Sequence, residues 1–195
     1  IINFTAGIEV QNSVRHTFWN NTISTTNITV GKHAIEMSNV NLTNVSGNTL
    51  VTMANSSAGV SMSSGSNNNT IRSNIINVSG PSSDGITSGN SSYLDVIQNN
   101  ITVHSSAGNG VRFLAQNQSR INVNIITTTA LTANGLTLSS SSNNFIESNN
   151  ITTLQSRGLF FTDGTDGTSS SNNVLVNNNI SSGIYLEIEE AVAAN

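Results

Sequence analysis

The sequence predicts an all-β solenoid of about eight coils, each about 25 residues long and built from three short strands. One observation is a small residue followed by apolar positions, a pattern that recurs through the chain. Its copies start at Gly7, Ala34, Gly59, Gly85, Gly110, Gly135, Gly158 and Gly183. An asparagine register keeps the same period, and the apolar residues within each copy alternate with polar ones. Phased apolar residues indicate a buried face, which argues against a disordered chain despite the polar composition.

Each repeated feature predicts a ladder, because equivalent residues of stacked coils lie about 4.8 Å apart. The inward ladder is expected to contain Ile8, Ile35, Val60, Ile86, Val111, Leu136, Leu159 and Ile184. The asparagine ladder is expected to contain Asn21, Asn48, Asn74, Asn100, Asn124, Asn150 and Asn179. Asparagine suits a corner because it tolerates left-handed backbone and its amide can bond to the amide of the next coil. Replacement of Asn100 by Leu should therefore be more costly than a typical surface change.

Composition excludes several classes of function. Charged residues make up 8% of the chain and the net charge is −4, so no basic surface is available for nucleic acid. The chain has no cysteine, which excludes disulfides and thiolate metal sites. No apolar run approaches the length that crosses a bilayer, so we expect no direct membrane insertion by this segment.

Three Asn-rich runs resemble the repeats of a known group of proteins. They are Ser66-Asn67-Asn68-Asn69-Thr70-Ile71, Ser142-Asn143-Asn144-Phe145-Ile146-Glu147-Ser148-Asn149-Asn150-Ile151 and Ser171-Asn172-Asn173-Val174. These runs resemble right-handed parallel β-helix repeats of the pectin-lyase-like superfamily, especially its Asn-rich secreted and surface proteins, many of them archaeal. The resemblance implies one β-helix domain over residues 1–195. Because the repeat has almost no caps, we expect this domain to be part of or processed from a longer chain, or its ends to be covered by neighbouring subunits. Lyases, hydrolases, adhesins and surface-layer proteins share this scaffold, so it does not imply one function.

Two acidic residues are the candidates for sugar chemistry. Glu9 and Glu36 occupy the same outward position of the first two coils. Retaining glycosidases use carboxyl groups about 5 to 5.5 Å apart, close to the spacing of adjacent strands. The alternative is a pair of ordinary surface carboxylates. The clustered aspartates used by the polygalacturonase and pectate lyase branches have no clear counterpart here, so we do not expect an enzyme.

An insertion and two aromatic residues are the candidates for binding. Asp163 and Asp166 lie in a Gly- and Thr-rich segment, 162–168, that interrupts the repeat. Their oxygens could bind Ca²⁺, the one cofactor considered, and a simple turn-rich insertion is the alternative. Phe160 and Tyr185 are expected at outward positions of consecutive coils, where they would contact a sugar or a neighbouring subunit. The alternative is that the Asp163 loop covers them.

A copper site is a further hypothesis, because some proteins that share this scaffold are linked to copper handling. Histidine and thioether side chains are the ligands that copper(I) prefers. The residues concerned are His16, His33, His104, Met37, Met53 and Met62. Met37 and Met62 fall in the inward ladder and are expected in the core, whereas His33 and His104 are expected in solvated corners.

Thirteen Asn-x-Ser/Thr sequons raise the question of glycosylation. Asn100, Asn150 and Asn179 are assigned to the corner ladder, where the amide would be occupied. Asn20, Asn55, Asn90 and Asn117 lie outside that ladder and are the predicted acceptors.

These observations predict an extracellular or cell-surface structural glycoprotein. Low charge, a pure repeat and missing catalytic clusters favour a β-solenoid that assembles with itself into a filament, sheath or surface layer, or that acts in adhesion. The alternative is a β-helix module that binds or degrades polysaccharide.

Overall fold

The computed structural model describes residues 7–26, 30–164 and 168–188, with the backbone alone for 184–188. In these ranges three parallel sheets stack coil on coil. The first sheet contains β1 Ile8–Val14, β4 Ile35–Asn41, β7 Ala58–Ser63, β10 Asp84–Gly89, β13 Val111–Leu114, β16 Leu136–Ser139, β19 Arg157–Thr162 and β22 Ile184–Ile188. The second contains β2 Thr17–Trp19, β5 Asn44–Ser46, β8 Thr70–Arg72, β11 Asp95–Ile97, β14 Arg120–Asn122, β17 Phe145–Glu147 and β20 Val174–Val176. The third contains β3 Thr22–Thr25, β6 Thr49–Thr52, β9 Ile75–Val78, β12 Asn100–Val103, β15 Ile125–Thr128, β18 Asn150–Thr153 and β21 Asn179–Ser181.

This arrangement confirms the predicted parallel β-helix with three strands per coil. Alternation along each strand sends one set of side chains into a shared core, where Ile35, Val60, Ile86 and Val111 are buried. The described ranges contain no helix long and apolar enough to cross a bilayer. The last step of the inward ladder differs from the expectation, because Leu159 pairs with Leu186 and Ile184 pairs with Arg157. Ile184 and Leu186 are both apolar and two residues apart, so alternation could not distinguish the two registers.

The corner asparagine ladder exists, but three of its predicted members are wrong. The backbone N–H and Nδ2 of Asn74 both donate to Oδ1 of Asn99, at 3.0 and 2.9 Å. The same pattern continues through Asn124, Asn149 and Asn178. The ladder members are therefore Asn99 and Asn149, which are buried, and Asn178, which is half-buried, whereas the predicted Asn100, Asn150 and Asn179 begin strands and are exposed. Each case is an Asn-Asn pair, and sequence period could not decide which asparagine turns inward.

The glycine that precedes the inward ladder is required by close packing between the first and third sheets. A Cβ atom on Gly110 would lie 2.2 Å from Cγ2 of Ile126 and 2.6 Å from the carbonyl oxygen of Gly135. Ala34 occupies this position in the second coil, where the third-sheet residue is Leu50, the register partner of Ile76. Leucine has no methyl group on Cβ, so the second coil has room for the β-carbon of Ala34.

Candidate functional site

The outward side of the first sheet carries a row of polar residues, one from each of the first six coils, and the row continues to Phe160 in the seventh. Pairing in register joins Glu9, Glu36, Ser61, Thr87, Arg112 and Thr137 into this row. We call it the first-sheet face. Each side chain stands about 4.8 Å from the next because that is the strand spacing. The row therefore presents carboxylate, hydroxyl and guanidinium groups in a line along the solenoid axis.

The two carboxylates at one end of the first-sheet face are neighbours, as the sequence predicted. Glu9 pairs directly with Glu36. Burial raises the pKa of Glu36, and the charge of Glu9 raises it further, against the opposing effect of Lys32. Nε2 of Gln11 donates to Oε1 of Glu9 at 2.5 Å. Glu36 is therefore a carboxyl group that holds its proton to higher pH than a free glutamate, beside a second carboxyl group.

A second polar row lies two residues before the inward ladder, and its members are buried except for the half-buried His33. His33, Asp84, Asn109 and Asn134 belong to it, and Ala58 pairs with Asp84 in the coil between Asp84 and His33. Oδ1 of Asp84 accepts from the backbone N–H and from Nδ2 of Asn109, both at 2.8 Å. We call His33, Asp84, Asn109 and Asn134 the buried polar row.

This row meets the first-sheet face at Arg112. Oδ2 of Asp84 lies 3.3 Å from Nε of Arg112, an ion pair without good hydrogen-bond geometry. Thr137 of the face donates to Oδ1 of Asn109 at 2.7 Å. The first-sheet face and the buried polar row are therefore connected by one ion pair and one hydrogen bond.

Burial is the largest influence on the pKa values of Asp84 and His33. Burial raises the pKa of Asp84. The charge of Arg112, the hydrogen bonds from Asn109 and the charge of His33 all act to lower it. Burial lowers the pKa of His33, with the charge of Asp84 opposing and that of Lys32 adding to the effect. Nδ1 of His33 is buried without a hydrogen-bond partner. The cluster thus holds an imidazole and a carboxyl group whose charged forms are both disfavoured by lost hydration.

Sequence reasoning missed this cluster. It placed His33 in a solvated corner, whereas the structure buries Nδ1 of its ring. Sequence position could have indicated the cluster, because His33 and Asp84 each stand two residues before a member of the inward ladder. Their relative position depends on the coil register, which places Ala58 in the coil between them.

The predicted binding residues of the later coils are only partly described. Phe160 pairs with Glu187 rather than standing beside Tyr185 in register, so the expected aromatic pair is wrong at the level of backbone register. The guanidinium of Arg157 lies 4.2 Å from the ring centroid of Phe160. The side chain of Tyr185 and the whole of Asp166 fall outside the described residues. Asp163 has a buried Oδ1 without a hydrogen-bond partner, and calcium binding there stays a prediction.

The predicted glycosylation acceptors differ in accessibility. Asn20, Asn55 and Asn90 are exposed. Asn117 is half-buried, and its Oδ1 accepts from the backbone N–H of Ser142 at 3.1 Å. Glycosylation at these four positions stays a prediction.

The histidines and methionines do not form a copper site. Met37 and Met62 pair in register and are buried in the core, as expected, whereas Met53 is 47% exposed. His16 Nε2 lies 2.6 Å from the hydroxyl of Ser13, and His104 Nδ1 lies 2.8 Å from that of Thr129. No group of three or more His, Cys, Asp or Glu side chains in the described ranges is arranged to hold a metal ion. A copper(I) site would need these ligands to converge, and here they are dispersed.

Similar solved structures share little sequence with the chain. DFA-IIIase from Arthrobacter chlorophenolicus A6, in complex with GF2, is 11% identical, with a TM-score of 0.46, over 88% of this chain and 51% of that chain. The enzymatically active domain of bacteriophage CBA120 tailspike protein 2 is 9% identical, with a TM-score of 0.46, over 94% and 39%. PfbA, a surface adhesin of Streptococcus pneumoniae, is 10% identical, with a TM-score of 0.23, over 96% and 74%. The chain spans about half the length of the DFA-IIIase. None of these likenesses assigns a function to the chain.

Family membership comes from the sequence profile. A search of curated proteins found no match. The profile of NosD, described as a periplasmic copper-binding protein, matches residues 1–187. That match covers nearly the whole β-helix, so the chain belongs to the NosD family.

Proposed function

We propose that this protein is an exported β-solenoid that binds polysaccharide along the first-sheet face. Export is supported by the family, which is described as periplasmic. The observation that carries the binding role is the register pairing of Glu9 with Glu36 at one end of a continuous polar row. Copper has no part in this proposal because the residues present do not fit a copper site.

Polysaccharide suits the face for chemical reasons. Sugar hydroxyls donate to carboxylates and accept from guanidinium and hydroxyl groups, and the face offers all three in a line. The carboxylate of Asp84 lies 3.3 Å from Nε of the half-exposed Arg112, and this ion pair restrains the guanidinium before a ligand binds. The low net charge adds no long-range attraction for polyanions.

Retention on immobilised polysaccharides tests this proposal. We expect the native protein to be retarded by at least one neutral polysaccharide of a panel, and a Glu9→Gln/Glu36→Gln variant to lose that retardation. Glu147→Gln is the matched control, because Glu147 lies on the second sheet and pairs with Arg120 at 3.3 Å. No retardation on any polysaccharide, or full retardation of the double variant, would reject the proposal.

The same pair allows a test for cleavage. Adjacent strands place the two glutamate backbones near the separation that retaining glycosidases need for their carboxyl groups, and Glu36 has the raised pKa expected of an acid catalyst. Release of reducing ends by the native protein, abolished by Glu36→Gln, would extend the role from binding to hydrolysis. Retention without release would restrict the protein to binding.

A second candidate is self-association into an extracellular assembly. It is favoured by Trp19, which is 70% exposed on the second sheet. Large exposed aromatic side chains are typical of protein contacts. Analytical ultracentrifugation of native protein and Trp19→Ala should show a concentration-dependent oligomer in the native protein alone. A native monomer at all concentrations would exclude it.

A further inference from the structure

An open cleft of about 320 Å³ lies at the corner between the first and second sheets, away from the first-sheet face. Its lining residues are Asn68, Asn69, Thr70, Tyr93, Asp95 and Gln118. Tyr93 stands in the turn between β10 and β11. Nothing in the candidate site described above uses these residues.

The backbone at this corner makes tyrosine an unusual choice. The corner places one residue of each coil in the left-handed region, and Tyr93 has a φ of 56°. Its counterparts in other coils include Asn68, Asn143 and Asn172, at φ of 55° to 58°, as well as Leu42 at 57° and Gln118 at 52°. Asparagine adopts this region at little cost, whereas a bulky side chain does so less readily. Asparagine would therefore be the more stable residue at position 93.

Internal packing does not explain the ring either. Tyr93 is 52% exposed, and in the described ranges its hydroxyl forms no hydrogen bond. An exposed aromatic ring in a disfavoured backbone conformation contributes little to folding. Its contact surface is therefore available to a molecule outside the chain.

The polar groups around the ring are also unused. Within the described part of the chain, the side chains of Asn68, Asp95 and Gln118 form no hydrogen bond or ion pair. The backbone of these three residues is nevertheless held in place. The N–H of Asn68 donates to the carbonyl of Ser92 at 3.1 Å, that of Asp95 to Asn69 at 2.9 Å and that of Gln118 to Ser142 at 3.2 Å. The cleft thus combines a flat apolar ring with free amide and carboxylate groups on a fixed backbone.

We propose that Tyr93 is the platform of a second carbohydrate subsite, which takes a single neutral pyranose of a glycan. The C–H face of a pyranose packs on an aromatic ring, and its hydroxyl edge bonds to groups such as Asn68, Gln118 and Asp95. The carboxylate of Asp95 disfavours uronic acids through like-charge repulsion. This subsite is separate from the first-sheet face, and its test does not depend on the outcome of the test of that face.

NMR titration of the native protein tests the subsite. Methyl β-glucopyranoside, methyl β-galactopyranoside, methyl α-mannopyranoside and glucuronate are the probes. We expect the ring resonances of Tyr93 to shift with at least one neutral glycoside and to remain unmoved by glucuronate. Tyr93→Asn should weaken that binding by about tenfold or more, the loss expected for a stacking platform. Because asparagine suits this backbone, the variant should melt no lower than the native protein, which separates lost binding from lost folding.

Two variants complete the test. Leu42→Asn changes the same corner two coils away and should leave glycoside binding unchanged. Glu9→Gln/Glu36→Gln should also leave it unchanged, which distinguishes this subsite from the first-sheet face. Native-like glycoside binding by Tyr93→Asn, or no shift of Tyr93 with any neutral glycoside, would overturn the proposal.

Discussion

Asp84 of one coil pairs with Arg112 of the next, with Oδ2 and Nε 3.3 Å apart. Oδ1 of the same carboxylate satisfies two donors of Asn109. Asp84→Ala would leave both donors without an acceptor and Arg112 without its counter-charge. We expect a loss of about 3 kcal/mol in the free energy of unfolding. Urea unfolding measures it, with Glu9→Ala as the exposed control, expected within about 0.5 kcal/mol of the native protein. Equal effects of the two substitutions would contradict the buried role of Asp84.

The Asn99–Asn100 pair permits a matched test of the corner ladder. Asn99→Leu removes the acceptor for two donors of Asn74 and the donor to the carbonyl of Ile71. We expect it to lower the free energy of unfolding by about 3 kcal/mol or more. Asn100→Leu changes an exposed side chain and should alter stability by about 0.5 kcal/mol or less. Thermal or urea unfolding of the two variants measures this difference. A larger loss of stability in Asn100→Leu than in Asn99→Leu would support the register expected from sequence.

The Glu9–Glu36 pair predicts a pH dependence. A raised pKa in the folded state means that folding strengthens proton binding to Glu36. The contribution of Glu36 to stability is therefore greatest below the ordinary glutamate pKa of 4.5 and declines as pH rises through the folded-state pKa. Glu9→Gln removes the second cause of the shift and should lower the pKa of Glu36, while burial keeps it above 4.5. Carboxyl ¹³C NMR titration follows this directly. An unchanged pKa of Glu36 in Glu9→Gln would show that the two groups do not interact.

The contact between Gly110 and Ile126 predicts a compensating pair. Gly110→Ala places a methyl group against Cγ2 of Ile126 and should lower the free energy of unfolding by about 1 to 3 kcal/mol. Adding Ile126→Leu reproduces the combination of Ala34 with Leu50 in the second coil, so part of that loss should be recovered. A double-mutant cycle with Ile126→Leu alone measures the coupling. Strict additivity of the two substitutions would disprove the steric account.

Local pattern was sufficient to predict the repeat, the three strands per coil and the core, because alternation and period follow directly from residue order. It was also sufficient to predict that Glu9 and Glu36 would be neighbours, since both follow a core residue of the same ladder. It failed at the Asn-Asn pairs and at the last coil, where candidates one or two residues apart satisfy the same pattern. A shift of one residue exchanges an inward side chain for an outward one, so only the stacked coils select the member that is buried.

The sequence by itself determined that this chain is a β-helix with sparse charge and no thiol chemistry. The tertiary structure decided which polar groups meet. Asp84 and Asn109 are 25 residues apart in the chain, and their two hydrogen bonds form only because the coil register stacks them. Tyr93 is a second example. The sequence shows that position 93 is a tyrosine, but only the stacked coils give it a left-handed backbone and place the unbonded side chains of Asn68, Asp95 and Gln118 beside it. The ladders follow from short-range periodicity, but the candidate sites depend on contacts between coils about 25 residues apart.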